Sequence, residues 1–355
     1  MNVPKLDSGI QFNLKVDKPT EEVKASDKDT YLQNMSKLKV VKQIEHPGDV
    51  AKARAMLNNP SMVASFADNG DIKLFDFDKL ECAATFEGHT SYGFGINWRP
   101  NEDGSASNVL ITAATDSKIC VWDVNKQPEA NGNKTAVNTL TFHSDSVNGL
   151  DILPSNPNIF ATASDDSKVA IWDSRSLESP TQNFQASPDG LNAVCFGLHD
   201  ENVFLTGGQS NGEIWLWDLR KMISMKPLSS FTGHQTSVNS ITFSPLTPNI
   251  FCSCAQVPPS EDGLQVFNSD NGVIIWDIQK IGEETFYSEE EESTLSPCLI
   301  LSHNGHSSTV DDISFSPYDP RTMATVDGAR SINVFQASEE LFKSPLDYEY
   351  EFTKE

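Results

Sequence analysis

The chain has 355 residues, too many for one ordinary domain of about 150, so it holds two or three domains or a set of repeats. Hydrophobic residues make up 38% and charged residues 21%, which excludes disorder as the main state. The balance of 26 Lys plus Arg against 50 Asp plus Glu leaves a net charge of −24. Such a field repels phosphate backbones and anionic membranes and attracts basic proteins, so no direct nucleic-acid or membrane partner is expected.

In chain order, the opening MNVPKLDSG has no basic region followed by an apolar run, and no later segment approaches the ~18 to 20 apolar residues that span a bilayer. An intracellular, soluble chain is expected. GIQFNLKV alternates, with Ile10, Phe12, Leu14 and Val16 on one face, and reads as a strand available to close a ring. Residues 17–36, rich in Lys, Glu, Asp and Thr, read as a solvated loop.

From residue 44 onward a pattern recurs. A histidine precedes an alternating apolar strand at His46, His89, His143, His234 and His306, with Ser187 in its place once. A short strand of small and apolar residues follows, such as IFATAS or FLTGG, then a polar turn, then a strand ending in Trp-Asp. These pairs are Trp122-Asp123, Trp172-Asp173, Trp217-Asp218 and Trp276-Asp277, with Phe75-Asp76 and Phe335 as weaker copies. The intervals from Phe75 are 47, 50, 45, 59 and 59 residues, near the ~40 to 45 of a four-stranded propeller blade once loops are allowed for. Period-two alternation with turn residues between runs is what half-buried antiparallel strands require.

Cys82, Cys120, Cys195, Cys252, Cys254 and Cys298 show no metal-site or disulfide-framework spacing and read as buried thiols. A phosphate-cradling Gly-rich loop, a GxSxG elbow, an HExxH helix and paired CxxC ligands are all missing from the sequence. No catalytic residues, cofactor or metal are expected, and recognition is the expected chemistry.

The repeats resemble the WD-repeat family over roughly residues 44–336. That resemblance implies an all-β propeller of seven blades, six clear in sequence and one incomplete. Residues 1–43 then form an N-terminal strand and loop, 44–336 the propeller with insertions at 255–271 and 281–302, and 337–355 an acidic tail. It also implies that each histidine bonds an Asp six residues before the Trp: Asp116, Asp166 and Asp270, with Asn69 and Asn211 as polar substitutes.

Some stretches are more specific. HPGDVAKARAML, GHTSYGFGINWRPN, WDLRKM and WDIQKIGEE followed by an acidic insert and ILSHNGHSSTVDDISFSPYDP resemble the histone-binding WD-repeat family of retinoblastoma-binding and MSI-type proteins. This resemblance implies a nuclear, non-catalytic adaptor of chromatin-assembly, acetyltransferase, deacetylase or remodelling complexes, with core histones H3 and H4 and chromatin-complex subunits as partners. It implies two surfaces. One is a groove for a histone helix at Ile281, Glu283, Glu284, Glu289, Glu290, Glu291, Glu292, Leu299, Ile300 and Leu301. The other is the narrow top of the propeller, at Asp49, Tyr92, Phe94, Asn148, Asn192, Asn239 and Asp311. Only two of those top positions are acidic, although aromatic rings can hold a Lys or Arg by their faces.

Two alternatives stand beside it. DSKVAIWDSR, with Asp166, Trp172, Asp173 and Arg175, resembles the box by which substrate receptors of cullin-type ubiquitin ligases dock on the damaged-DNA-binding adaptor, and Arg220 is a second candidate donor. A generic protein-interaction scaffold is the other.

Overall fold

The computed structural model describes residues 10–12 and most of the chain from 40 to 338, leaving out 57–58, 104, 106–107, 130–131, 211, 225, 257–271, 284–285, 289–292, 304, 307 and 330. Strands β1 (Ile10–Phe12) and β2 (Val40–Gln43) pair antiparallel as a sheet of their own. The strand expected to close the ring therefore joins no blade over its described part; Leu14 and Val16 lie outside the described residues.

Blade 1 contains β3 (Val50–Met56), β4 (Asn59–Ala67), β5 (Ile72–Asp76) and β6 (Glu81–Glu87). Blade 2 contains β7 (Gly95–Arg99), β8 (Val109–Ala113) and β9 (Ile119–Asp123). The next link supplies β10 (Lys134–Thr135), parallel to β6, and β11 (Asn138–Leu140), the outer strand of blade 2. Blade 3 is β12 (Val147–Ile152), β13 (Ile159–Ser164), β14 (Lys168–Asp173) and β15 (Gln182–Gln185). Blade 4 is β16 (Leu191–Phe196), β17 (Val203–Gly208), β18 (Ile214–Asp218) and β19 (Ser229–Phe231).

Blade 5 starts with β20 (Val238–Phe243), β21 (Ile250–Ala255) and β22 (Val273–Asp277). A small hairpin of β23 (Phe286–Ser288) and β24 (Ser293–Leu295) intervenes before its outer strand, β25 (Leu299–His303). Blade 6 has β26 (Val310–Phe315), β27 (Thr322–Asp327) and β28 (Ile332–Gln336). The described residues thus form six blades, where the sequence led us to expect seven. The reason lies in the pairing: β1 and β2 satisfy each other and supply no further four-stranded sheet.

Inside the blades a buried polar relay ties three strands. In blade 3, His143 Nδ1 lies 3.0 Å from Asp166, and its Nε2 lies 2.8 Å from the Thr162 hydroxyl, which accepts from Trp172 Nε1 at 3.1 Å. A carboxylate only accepts, so the ring proton sits on Nδ1 and the hydroxyl donates to Nε2. Blade 2 repeats the relay with Asp116, His89, Thr112 and Trp122. Burial works against ionisation of Asp116, yet the His89 bond and the Thr90 amide hold its pKa at about 2. In blade 5, Ser253 joins His234 and Trp276; the expected Asp270 lies outside the described residues, as does Asn211. In blade 4, Thr206 still accepts from Trp217.

Two expected partners differ. Asn69 meets Asp71, while His46 meets Ser65. In blade 6, His306 Nδ1 lies 3.1 Å from Asp327, eight residues before Phe335 instead of six. The Gly-His dipeptides also have a steric reason, since a Cβ on Gly88 would lie 2.6 Å from the Trp122 ring.

Five apolar clusters join successive blades. They are built around Phe66 and Trp122, around Phe160 and Trp172, around Phe184 and Trp217, around Phe231 and Trp276, and around Ile250 and Phe315. Among the described residues no such cluster joins blade 6 to blade 1.

The relay predicts a specific weakness. Thr162→Val keeps the shape of the side chain but orphans two buried partners, Trp172 Nε1 and His143 Nε2. Each orphan costs about 1–3 kcal/mol, so a loss of about 2–4 kcal/mol is expected by urea titration. A loss below about 0.5 kcal/mol would show that the relay carries little stability.

Candidate recognition surface

The inner strands of the six blades line a channel of about 1150 Å³. At its mouth the sequence-predicted residues Tyr92, Phe94, Asn148, Asn192, Asn239 and Asp311 come together as lining residues, with Asp49 outside the lining. Tyr92 lies two residues before Phe94, while Phe94, Asn148, Asn192, Asn239 and Asp311 converge because each lies five residues after its repeat histidine or Ser187. A bulge at the start of β12, β16, β20 and β26 turns this one residue inward before regular pairing resumes.

The mouth is an amide ring with carboxylates set into it. Asn148 Nδ2 donates to Asp165 at 2.6 Å and to the Asn192 side-chain oxygen at 3.2 Å. Asn192 donates to Ser237, and Asn239 donates to the Val310 carbonyl. Burial raises the pKa of Asp165 and of Asp311, and Asp327 adds to the shift of Asp311. Tyr92 and Phe94 meet edge to face, centroids 5.6 Å apart, and remain 44% and 43% exposed. Exposed rings and carboxylates lining one channel mouth suit a basic peptide, whose Lys and Arg side chains gain from either.

Deeper in the channel lies a charged cluster that sequence reasoning missed. Asp312 receives Arg54 at 3.1 Å, Lys52 at 3.4 Å and the Ser240 hydroxyl at 3.1 Å. Burial opposes its ionisation, but the two cations hold its carboxyl far below the usual range. Asp151 instead accepts from the Phe196 amide at 2.8 Å and from Asn97 at 3.2 Å. Burial pushes its pKa up to about 6. The available signal was positional: Arg54, Asn97, Asp151 and Cys195 occupy equivalent inner-strand places, which only the strand register reveals.

The proposed helix groove is placed only in part. Ile281 and Glu283 are exposed, whereas Glu284, Glu289, Glu290, Glu291 and Glu292 lie outside the described residues. Leu299, Ile300 and Leu301 belong to β25 and are half-buried, packed on the clusters that hold blade 5 to its neighbours. Their apolar character thus serves the blade. Arg175 forks onto Asp173 from Nε and Nη2 at 2.9 and 2.6 Å, which holds Asp173 at about 2, and Arg220 repeats the fork with Asp218. Asp166 and Trp172 serve the blade 3 relay.

Burial lifts the Cys120 thiol to about 12 and also raises Cys195, Cys252 and Cys254, so these sulfurs stay protonated. Among the described residues no group of three or more His, Cys, Asp or Glu is placed to hold a metal ion, and no helix is long and apolar enough to cross a membrane.

Six successive blades, five of four strands or more and one of three among the described residues, with this relay define a WD-repeat β-propeller. The family described as WD domain, G-beta repeat matches residues 80–123, 134–173 and 225–277. The chain is 28% identical over 337 residues to histone acetyltransferase type B subunit 2 of Candida glabrata, covering 91% of this chain and 73% of that protein. It is 27% identical over 326 residues to the protein of the same name from Debaryomyces hansenii, covering 90% and 73%. A chain in a crystal structure of the mitotic checkpoint complex shares the fold at a TM-score of 0.63 and 20% identity, over 86% of this chain and 80% of that one. The chain thus carries WD repeats and is similar, over nine-tenths of its length, to proteins named histone acetyltransferase type B subunit 2.

Asp151 gives a pH prediction. A carboxyl whose folded pKa is raised costs nothing below the unfolded value near 4 and destabilises increasingly as pH rises towards 6. Asp151→Asn keeps an acceptor for the Phe196 amide and removes that cost. The variant should gain about 1–3 kcal/mol over the parent between pH 4 and pH 7 in paired denaturation curves. Equal curves at both pH values would contradict the raised pKa.

Proposed function

We propose that the chain is a non-catalytic adaptor that binds core histones H3 and H4 within a histone acetyltransferase complex in the nucleus. The observation that carries this reading is the channel mouth, where two exposed aromatic side chains share the lining with Asp311, Asp165 and a set of asparagine amides. A basic tail lays its Lys and Arg side chains on those rings and carboxylates, and the net charge of −24 raises the rate of encounter. Similarity to histone acetyltransferase type B subunit 2 over nine-tenths of the chain supports the same reading. The acidic run Glu289 to Glu292, which follows exposed Ile281 and Glu283 in sequence, is the second contact, for a basic amphipathic helix.

Binding to the histone H3 and H4 dimer at about 0.15 M and about 0.5 M salt tests this, because the shorter Debye length at high salt strips away nonspecific attraction. Binding is expected to survive high salt and to fall at least about tenfold when Glu289 to Glu292 are reversed to Lys, a loss of about 1.4 kcal/mol. A double Tyr92→Ala and Phe94→Ala variant should weaken a basic tail peptide about five- to tenfold, in keeping with the 0.5–1 kcal/mol of an exposed cation–π contact. Complete loss of parent binding at high salt would reduce the interaction to bulk charge and sink the proposal.

A further inference from the structure

Blade 6 departs from the other five in two ways that point to one missing piece. The third strand of blades 1 to 5 is paired on its outer side, by β6, β11, β15, β19 and β25 in turn. Among the described residues, β28 has no such partner. The second departure is an uncovered face. Strand register matches Val326 and Ile332 of blade 6 to Phe66 and Ile72 of blade 1, and Val334 to Leu74. The blade 1 residues are 0–1% exposed, but Val326 and Val334 are each 37% exposed.

The other blades show what belongs there. Opposite the third-strand residue equivalent to Ile332 stand Leu140 against Ile119 and His303 against Val273 in two of the five, and in the other three a buried outer-strand phenylalanine: Phe86 opposite Ile72, Phe184 opposite Val169 and Phe231 opposite Ile214. These follow the last residue of the third strand, Asp76, Asp173 or Asp218, by 10, 11 and 13 positions. Counting the same distances from Gln336 reaches 346 to 349. There the sequence reads Leu346, Asp347, Tyr348, Glu349, Tyr350, Glu351, Phe352, a strict alternation of apolar or aromatic residues with acids. That is the pattern of a strand with one covered and one wet face.

We propose that residues 346–352 dock as the outer strand of blade 6, antiparallel to β28, with Leu346 opposite Val334 and Tyr348 opposite Ile332. The open edge of β28 gains a backbone ladder, and the aromatic face covers Ile332 and Val334. Asp347, Glu349 and Glu351 turn to water, where their charge discourages a further strand from adding. The occupant is the chain's own tail because the described part ends at Ser338, two residues beyond β28. The link that remains, residues 337–345, matches the links 174–181 and 219–228 that lead to β15 and β19.

Cysteine trapping tests the register. In a full-length chain whose exposed Cys82 is changed to Ser, the pair Val334→Cys and Leu346→Cys is expected to form an intramolecular disulfide under mild oxidation, since directly opposed Cβ atoms lie at bonding separation. The pair Val334→Cys and Asp347→Cys, one residue out of register, should stay mostly reduced. Independently, Tyr348→Lys with Tyr350→Lys should lower the thermal midpoint by about 2–4 °C, the shift for a ~1 kcal/mol loss in a long chain. A reduced 334–346 pair, equal oxidation of both pairs, disulfide found only between two copies, or an unchanged midpoint would each overturn the proposal. None of these measurements involves histones, so their outcome is separate from that of the function proposed above.

Discussion

Blades 2, 3 and 5 are each organised by one buried hydroxyl that bonds two side chains at once. Thr112, Thr162 and Ser253 stand between a histidine and a tryptophan, and every polar atom in the line finds its partner away from water. An unpaired buried group costs more than a made bond gains, so the relay admits few rearrangements. It fixes the top loop carrying the histidine against the strand carrying the tryptophan, and so sets where the inner strand begins. The channel mouth inherits its geometry from that start.

Around the ring the relay weakens towards both ends of the chain. Blades 1 and 6 carry Phe75 and Phe335 where the middle blades carry Trp, and their hydroxyls, Ser65 and Thr325, serve the histidine and a backbone carbonyl. The apolar clusters thin at the same place. Ala51, Ala53 and Ala55 of β3 are exposed, and the face of blade 6 that looks away from blade 5 is partly uncovered. What spans from blade 1 to blade 6 is ionic: Lys52 and Arg54 on Asp312, two of them 258 residues apart in sequence. Ion pairs half open to channel water hold less firmly than packed aromatics.

The propeller was legible because its repeats announce themselves through residues with strict physical requirements: the Gly-His pair, the hydroxyl strand and Trp-Asp. Blade count was less legible. Alternation in GIQF marks a strand correctly, but period two says nothing about which neighbour the strand pairs with. The channel-mouth residues were reachable by counting from each histidine or Ser187, since one bulge repeats in five blades. Asp151, Lys52, Arg54 and Asp312 were not, because their meeting depends on strands distant in sequence. Leu299 to Leu301, an apolar run beside acids, are placed by the strand register in β25, half-buried against the clusters of blade 5.

If stability is carried by the relays and by packing between successive blades, amide hydrogen exchange in native conditions should be graded around the ring. The amides of β12 to β18, flanked by clusters on both sides, should exchange only through global unfolding, while those of β3 and β26 open at a free energy lower by a few kcal/mol. Uniform protection of all six inner strands would contradict this account, and would mean that the junction of blades 6 and 1 is as firmly held as any other.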